Sequence, residues 1–96
     1  MKRDAIAIKP SDNVATAIRN LQPGQEVTIG IGDKMRCLTL RQAIGYGHKL
    51  AIRDIACGEE IIKYAAVIGR ATQDISIGEH VHVHNVESLR GRGDLF

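Results

Sequence analysis

The sequence predicts a mainly β domain with one short α-helix, and three features support this class. Hydrophobic residues make up 44% of the 96 residues and are mostly aliphatic, since the aromatic side chains are two Tyr and one Phe. Branched aliphatic residues favour strands. Helical spacing of apolar residues occurs in one segment, whereas short apolar runs alternate with glycines elsewhere. The length suits a single domain over residues 1–96, and residues 89–96 are typical of a flexible tail.

The first two predicted elements lie before residue 24. Residues 5–8 form a strand, and Lys9-Pro10 ends it because proline disfavours helical backbone in the preceding residue. Ser11 or Asp12 then caps a helix. Its apolar stripe has the spacing i, i+3, i+4 and i+7 and consists of Val14, Ala17, Ile18 and Leu21. Pro23-Gly24 ends this helix.

The remaining predicted elements are short strands. Residues 41–47 contain Gly45 and Gly47, which indicate a loop. Apolar segments bounded by turn-forming residues predict strands at 27–31, 35–40, 50–55, 61–64, 67–68 and 81–84. Strands therefore account for most of the regular structure that we expect.

A seven-residue pattern, apolar-x-x-Gly-x-x-apolar, recurs in the chain. Its copies span residues 21–27, 55–61 and 75–81, with Gly24, Gly58 and Gly78 at their centres. Glycine adopts the positive φ that a tight turn requires. The alternative is coincidence, since glycine near Ile or Val is common in β proteins, but two copies continue as Gly-Glu. The pattern predicts one turn type that is used three times.

Composition and charge argue against several classes of partner. The formal net charge is +2, from 13 basic and 11 acidic side chains, and no basic block or aromatic platform suits nucleic acid. No apolar run approaches the roughly 20 residues of a membrane span, and the N-terminal segment lacks the apolar stretch of a signal peptide. We therefore expect a cytoplasmic protein with no nucleic-acid or membrane partner. Cys37 and Cys57 are expected to be reduced and buried.

Three of the four histidines lie at alternate positions near the C-terminus. Because a strand sends successive side chains to opposite faces, we expect His80, His82 and His84 on one face and Val81 and Val83 on the other. Three adjacent imidazoles suit proton transfer, metal ligation or anion binding. The alternative is an edge strand whose polar face is rich in histidine.

Further candidate residues are basic and lie close to glycines. His48-Lys49 follows the glycine-rich segment 45–47, where the backbone can approach a ligand. Histidine can transfer a proton near neutral pH, and lysine can pair with a carboxylate. The alternative is a loop histidine beside a solvated lysine. Lys63 is a weaker candidate, and Arg92, in the glycine-containing tail, can bind a carboxylate in a bidentate manner.

Five motifs occur in an order that resembles a known enzyme family. They are Asp12-Asn13-Val14-Ala15, Gly47-His48-Lys49-Leu50-Ala51, Lys63-Tyr64, Ile68-Gly69-Arg70-Ala71-Thr72 and Gly78-Glu79-His80-Val81-His82-Val83-His84-Asn85. Together they resemble the N-terminal SAF domain of the altronate/galactarate dehydratase family over nearly the whole chain. The chain has Ala65 where the family usually has Gly, and Gly45 where it often has Pro. Both departures affect turn geometry and remove no candidate catalytic group.

The resemblance implies a compact β-clip fold, SAF-like in type, and a part in a β-elimination. Full-length family members carry a long catalytic region after this domain, and some relatives are split into a small and a large subunit. The implied partner is therefore a larger dehydratase catalytic subunit, and a homo-oligomer is compatible with the same sequence. The implied cofactor is a divalent metal ion, iron or manganese, shared with or held by the large subunit.

The candidate roles combine this resemblance with the chemistry of removing a proton next to a carboxylate. That reaction needs a base, an acid and groups that stabilise charge on the carboxylate. The expected catalytic residues are His48, Lys49 and His84; the expected substrate-binding residues are Asn85, Arg92 and Lys63; and the expected metal ligands are His82 and His84.

The expected function is that of the small subunit of an altronate-type dehydratase, which removes water from a 2-hydroxy sugar acid. The tail at residues 90–94 favours this branch, and Asn85, Glu87 and Asp94 suit sugar hydroxyls. One alternative is the alpha subunit of sulfolactate sulfo-lyase, whose elimination releases sulfite and whose substrate should prefer a site without nearby carboxylates. Another is a non-catalytic SAF binding or assembly module, which would need no group of histidines and lysines.

Overall fold

A computed structural model describes residues 2–88, and all the helix or strand structure within them is β. This confirms the predicted mainly β class. The strands are β1 (Ala5–Ala7), β2 (Val14–Ala17), β3 (Glu26–Ile31), β4 (Lys34–Thr39), β5 (Lys49–Ala51), β6 (Glu60–Lys63), β7 (Ala66–Ala71), β8 (His80–Val81) and β9 (Val86–Ser88). Over this range no helix is long and apolar enough to cross a membrane. The predicted tail at 89–96 lies outside the described residues.

The strands form two sheets. The larger sheet has the order β4-β3-β1-β2-β5-β8, and the smaller has the order β6-β7-β9. β1 and β3 run parallel, and the other neighbouring strands run antiparallel. In the pair of β5 with β8, Lys49 lies opposite Val81 and Leu50 lies opposite His80. This register brings the segment after Gly47 next to the histidine-rich segment.

The helix predicted after Ser11 is wrong, because Val14–Ala17 forms strand β2. Its predicted cap, Asp12, accepts instead from two amides that precede it in the chain. Val14 packs into one core cluster, whereas Ala15 and Ala17 pack into the other. A strand buried on both faces lacks the alternation of apolar and polar residues. The apolar residues of this segment therefore also match a helical spacing. Pairing with the neighbouring strands β1 and β5 makes the segment a strand.

Asn13 joins the two sheets. Its backbone N–H donates to Ile62 O at 3.1 Å, and its side-chain oxygen accepts from Ile62 N–H at 2.7 Å. Its side-chain amide also donates to Glu60 O at 2.8 Å. Since β6 contains Glu60 and Ile62 while Asn13 precedes β2, this buried residue ties the smaller sheet to the larger one.

The predicted turn occurs four times in the described residues. Gly24, Gly58 and Gly78 have φ of 82°, 91° and 88°, which confirms the positive φ expected there, and Gly47, at 84°, is the centre of a further copy. Each of these glycine N–H groups donates to a backbone carbonyl at 2.8–2.9 Å. The first apolar residues pair across turns, as Leu21 with Ile44 and as Ile55 with Ile75. We call the segments 21–27, 44–50, 55–61 and 75–81 the glycine turns.

Both cysteines are free, as expected, but the prediction that they are buried is wrong. Cys37 and Cys57 are exposed. Cys37 lies on β4, which is an edge strand of the larger sheet. Cys57 lies in a glycine turn. Neither side chain belongs to a core cluster. The place of each cysteine in the fold therefore decided its exposure, and its small hydrophobic side chain did not.

Candidate functional site

Three histidine rings meet where the glycine turn at 44–50 approaches β8. The ring centroids of His48 and His80 lie 5.1 Å apart, those of His48 and His82 lie 4.7 Å apart, and those of His80 and His82 lie 5.2 Å apart. One nitrogen from each half-buried ring lies within 4.8 Å of the other two. We call these residues the histidine cluster. Imidazole nitrogens at such spacing can exchange a proton or bind one metal ion.

Backbone hydrogen bonds hold His48 in place. Its N–H donates to Gly45 O at 2.9 Å, and its carbonyl accepts from Ala17 N–H at 2.8 Å. Gly47 N–H donates to Ala17 O at 2.9 Å. The turn is therefore fastened to the end of β2, and the pairing of β5 with β8 then places His80 beside it.

The histidines at 80, 82 and 84 do not share one straight strand, so that prediction is wrong. β8 ends at Val81, and residues 82–85 form a turn. Val81 is fully buried, whereas Val83 is 82% exposed. The two valines therefore do not share a face, as a straight strand would require. The ring of His82 nevertheless stacks on His80, with an angle of 13° between their planes.

Asn85 creates this turn. It is only 5% exposed, and its side-chain oxygen accepts from His82 N–H at 2.9 Å. Its amide group donates to His80 O at 2.8 Å, and its backbone N–H donates to His82 O at 3.1 Å. Asparagine side chains compete with strand pairing by bonding nearby backbone groups. Asn85 thus holds His80 and His82 in the orientation that stacks their rings.

The surroundings of His80 and His82 favour uncharged rings. Burial lowers the pKa of His80, and the nearby His48, His82, His84 and Lys49 lower it further. Burial also lowers the pKa of His82, as do His48, Lys49 and His84. Neutral imidazole is the form that accepts a proton or binds a metal. The cluster is therefore suited to either task near neutral pH.

A pocket of about 330 Å³ lies beside the cluster. Its polar lining includes Lys49, Lys63 and His82, and its apolar lining includes Ile68, Val83 and Val86. Burial lowers the pKa of Lys49, and the charge of Lys63 lowers it further. No carboxylate lines this pocket among the residues that the structure describes. Its chemistry therefore favours an anionic ligand.

Asp12 positions the turn that follows Lys63. Its fully buried carboxylate accepts from Tyr64 N–H at 3.0 Å and from Ala65 N–H at 2.7 Å. Burial alone would raise the pKa of Asp12, but four backbone N–H donors outweigh it and the pKa is lowered. Tyr64 and Ala65 have φ of 53° and 65°. This left-handed conformation favours glycine, so Ala65 carries backbone strain there.

The structure brings together four of the residues expected in the site: His48, Lys49, Lys63 and His82. His84 contacts the ring of His80, at 5.4 Å between centroids, but it lines a separate pocket of about 210 Å³ together with Glu79. Asn85 holds its turn, and Arg92 and Asp94 lie outside the described residues. All the assigned roles stay predictions. His80 was missed as a site residue, although its alternation with His82 was the signal that could have identified it.

Comparisons with known proteins identify the family of this chain. The family model described as altronate/galactarate dehydratase SAF domain matches residues 3–89. The chain is 43% identical over 93 residues to the alpha subunit of (2R)-sulfolactate sulfo-lyase from Chromohalobacter salexigens, covering 94% of this chain and 99% of that protein. It is 45% identical to altronate dehydratase of Escherichia coli and 40% identical to that of Bacillus subtilis, over 86% of this chain but only 16% of each dehydratase. The chain belongs to the altronate/galactarate dehydratase SAF domain family.

Proposed function

We propose that this chain is the small subunit of a two-chain lyase that eliminates sulfite from a 2-hydroxy acid carrying a sulfonate. The observation that carries the proposal is the pocket beside the histidine cluster, where Lys49 and Lys63 meet without a carboxylate in the described lining. A carboxylate and a sulfonate together bring two negative charges and only hydrogen-bond acceptors, and each lysine offers three donors. The similarity to a sulfo-lyase alpha subunit over 99% of its length supports the same assignment.

The residues of the site suit a β-elimination. A base removes the proton from the carbon that bears the hydroxyl, and that electron pair forms a carbon–carbon double bond. The carbon–sulfur bond breaks, and its electron pair leaves with sulfite. The enol that remains takes up a proton on carbon and becomes a 2-keto acid. While the cluster holds no metal ion, His82 is the ring best placed to act as this base, because it belongs to both the cluster and the pocket.

The two lysines bind and orient the substrate in this proposal. Negative charge builds on the carboxylate as the proton leaves, and a nearby ammonium group stabilises it. Lys49 lies next to His48 in sequence and opposite Val81 in the sheet, which keeps it beside the cluster. Lys63 reaches the same pocket from the smaller sheet. The anion would therefore be held between groups from both sheets.

The histidine cluster also fits the divalent metal that the sequence led us to expect. Its nitrogens lie within 4.8 Å of one another, and the surroundings of His80 and His82 favour neutral rings. His48, His80 and His82 would hold the ion, and the large subunit would complete its ligand set. Imidazole suits iron better than manganese, which prefers oxygen ligands. A bound metal would stabilise negative charge on the substrate carboxylate.

A larger catalytic subunit is part of the proposal. The pocket volume of about 330 Å³ is at the lower end for ligand sites, so a second chain would cover the substrate and supply further groups. We accordingly expect no turnover by the isolated chain. The β-clip fold and the cytoplasmic location expected from the sequence belong to the same proposal.

An altronate-type dehydratase small subunit is the second candidate function. The 45% identity to altronate dehydratase of Escherichia coli favours it. A sugar acid presents several hydroxyls, which need mixed donors and acceptors. Asn85, expected to bind them, uses its side chain within its own turn. This is why we place the sulfonate substrate first.

Three substrates test the proposal on one complex. The tagged chain is purified from its source cells with its partner subunit, and the complex is given sulfolactate, altronate and galactarate separately. Release of sulfite from sulfolactate is the expected result. Formation of a keto-deoxy acid from either sugar acid, without sulfite, would replace the proposal by the dehydratase. An intact complex with no lyase activity would favour a non-catalytic assembly module.

A further inference from the structure

The glycine turns share a side-chain bond in addition to their central glycine. In three of them the residue directly after the glycine is Gln25, Glu59 or Glu79. The side-chain oxygen of each accepts the N–H of the residue three positions earlier, namely from Gln22 at 3.0 Å, from Ala56, and from Ser76 at 2.8 Å. This bond closes the turn from outside, so the position after the glycine has a structural task.

His48 occupies that position in the fourth glycine turn. The backbone there makes the same bonds as in the other three, with His48 N–H donating to Gly45 O and Gly47 N–H donating to a strand carbonyl. The ring of His48 does not close its own turn. Its Nδ1 lies 2.9 Å from Nε2 of His80 instead. Within residues 2–86, no side-chain oxygen accepts the Gly45 N–H in its place.

The glycine turns share a second side-chain bond. Where one turn lacks the acceptor of this bond, the opposite turn also lacks the donor. Before three of the turns stands Asn20, Asp54 or Asp74, whose side chain accepts from the opposite turn, at Tyr46, Ile77 and Cys57 respectively. The equivalent position before the fourth turn is Ala43, whose side chain has no hydrogen-bond acceptor. Its counterpart in the opposite turn is Pro23, which has no N–H to donate. The missing acceptor is thus matched by a missing donor.

No such compensation occurs at His48. Histidine stands there in place of Gln or Glu, but the N–H group that the missing side-chain oxygen would accept is still present on Gly45. An acceptor of the kind found three times has been replaced by a ring that turns away from its own loop toward two other histidines. Functional sites are where local structural rules are broken for another gain.

We propose that His48 is a metal ligand at a turn-closing position, so that restoring the turn acceptor keeps or raises stability while it removes the metal site. The proposal rests on the proposed function for the ligand, a divalent cation. It extends that function by stating that, at position 48, the residue best for metal binding differs from the residue best for stability. The prediction is specific to this turn among the four.

The test compares His48→Gln with Glu59→His in the full chain. Glutamine closes the equivalent turn at position 25, so His48→Gln is expected to melt at or above the wild-type temperature. Its affinity for Co²⁺, whose visible spectrum reports imidazole ligation, should fall at least about tenfold. Glu59→His places histidine in an equivalent turn away from the cluster. It should melt lower and leave the Co²⁺ affinity unchanged.

Two results would overturn the proposal. If His48→Gln melts as low as Glu59→His, then the His48 ring is itself structural. If the wild-type chain binds no Co²⁺, alone or in its complex, or if His48→Gln binds it as tightly as wild type, then His48 is no ligand. Absence of sulfite release from an otherwise active complex would reject the sulfo-lyase assignment alone, so the two failures can be distinguished.

Discussion

Nδ1 of His48 and Nε2 of His80 lie 2.9 Å apart, and this hydrogen bond joins a glycine turn to β8. One nitrogen must donate and the other must accept, so at least one of the two rings is neutral while the bond exists. Protonation of both rings would break it. Because the pKa of His80 is lowered, this bond links the folded arrangement to pH through His80.

We expect the stability of the fold to fall as the pH is lowered below about 6.5. The pKa values of His80 and His82 are lowered from an unfolded value of about 6.5. Between the folded and unfolded pKa values the unfolded chain binds more protons, so stability rises with pH in that window. The contribution is complete above about 6.5. Urea unfolding across this range, compared with His80→Gln, should show a flatter profile for the variant; equal profiles would contradict the linkage.

Asp12→Asn should destabilise the fold by about 2–3 kcal/mol, since a buried carboxylate that accepts several N–H groups is replaced by an amide that must also donate. The pKa of Asp12 is lowered, so its contribution is present at neutral pH and is lost as the pH falls through that lowered value, below about 4. Thermal or urea unfolding at pH 7 measures the effect. A variant as stable as wild type would show that these hydrogen bonds matter little.

Ala65→Gly should stabilise the fold by about 0.5–1 kcal/mol. The φ of 65° strains a residue with a Cβ atom, and relief of that strain exceeds the entropy that glycine adds to the unfolded chain. Ala66→Gly, on strand β7, is the matched control and should destabilise by about 0.5–1 kcal/mol. Urea unfolding of both variants gives the comparison, and a shift of the same sign in both would refute the explanation.

Two glycine turns should respond differently to alanine. A Cβ atom added at Gly58 would lie in open space, so Gly58→Ala meets only the strain of its φ and should destabilise by about 1 kcal/mol. A Cβ on Gly78 would lie 2.7 Å from Thr39 O as well. Gly78→Ala should therefore destabilise by about 3 kcal/mol. Melting temperatures of the two variants decide this, and the reverse order would be inconsistent with the packing.

Lys63→Gln should raise the KM of the complex for its anionic substrate about tenfold, because one ammonium group of the pocket is lost. Lys34→Gln, on edge strand β4, removes the same charge away from the pocket and serves as the control. Steady-state kinetics of both complexes provide the measurement. Equal KM values in the two variants would remove Lys63 from the site.

Features that depend on a few neighbouring residues were predictable. The positive φ of Gly24, Gly58 and Gly78 follows from the lack of a side chain, and the structure confirms it. The strands expected at 27–31 and 35–40 correspond to β3 and β4 within one residue at each end. The motif order also identified the family, which the match over residues 3–89 confirms.

The sequence by itself determined the mainly β class, the turn conformation at glycine and the residue types of the site, because these depend on local backbone preference and on chemical identity. Only the tertiary structure decided that Val14–Ala17 is a strand, since its pairing with β1 and β5 outweighs a helical spacing. It also decided the site itself. His48 and His80 are 32 positions apart, and they meet through the pairing of β5 with β8 and a turn made by Asn85. Contacts between such distant segments leave no local pattern from which they could be predicted.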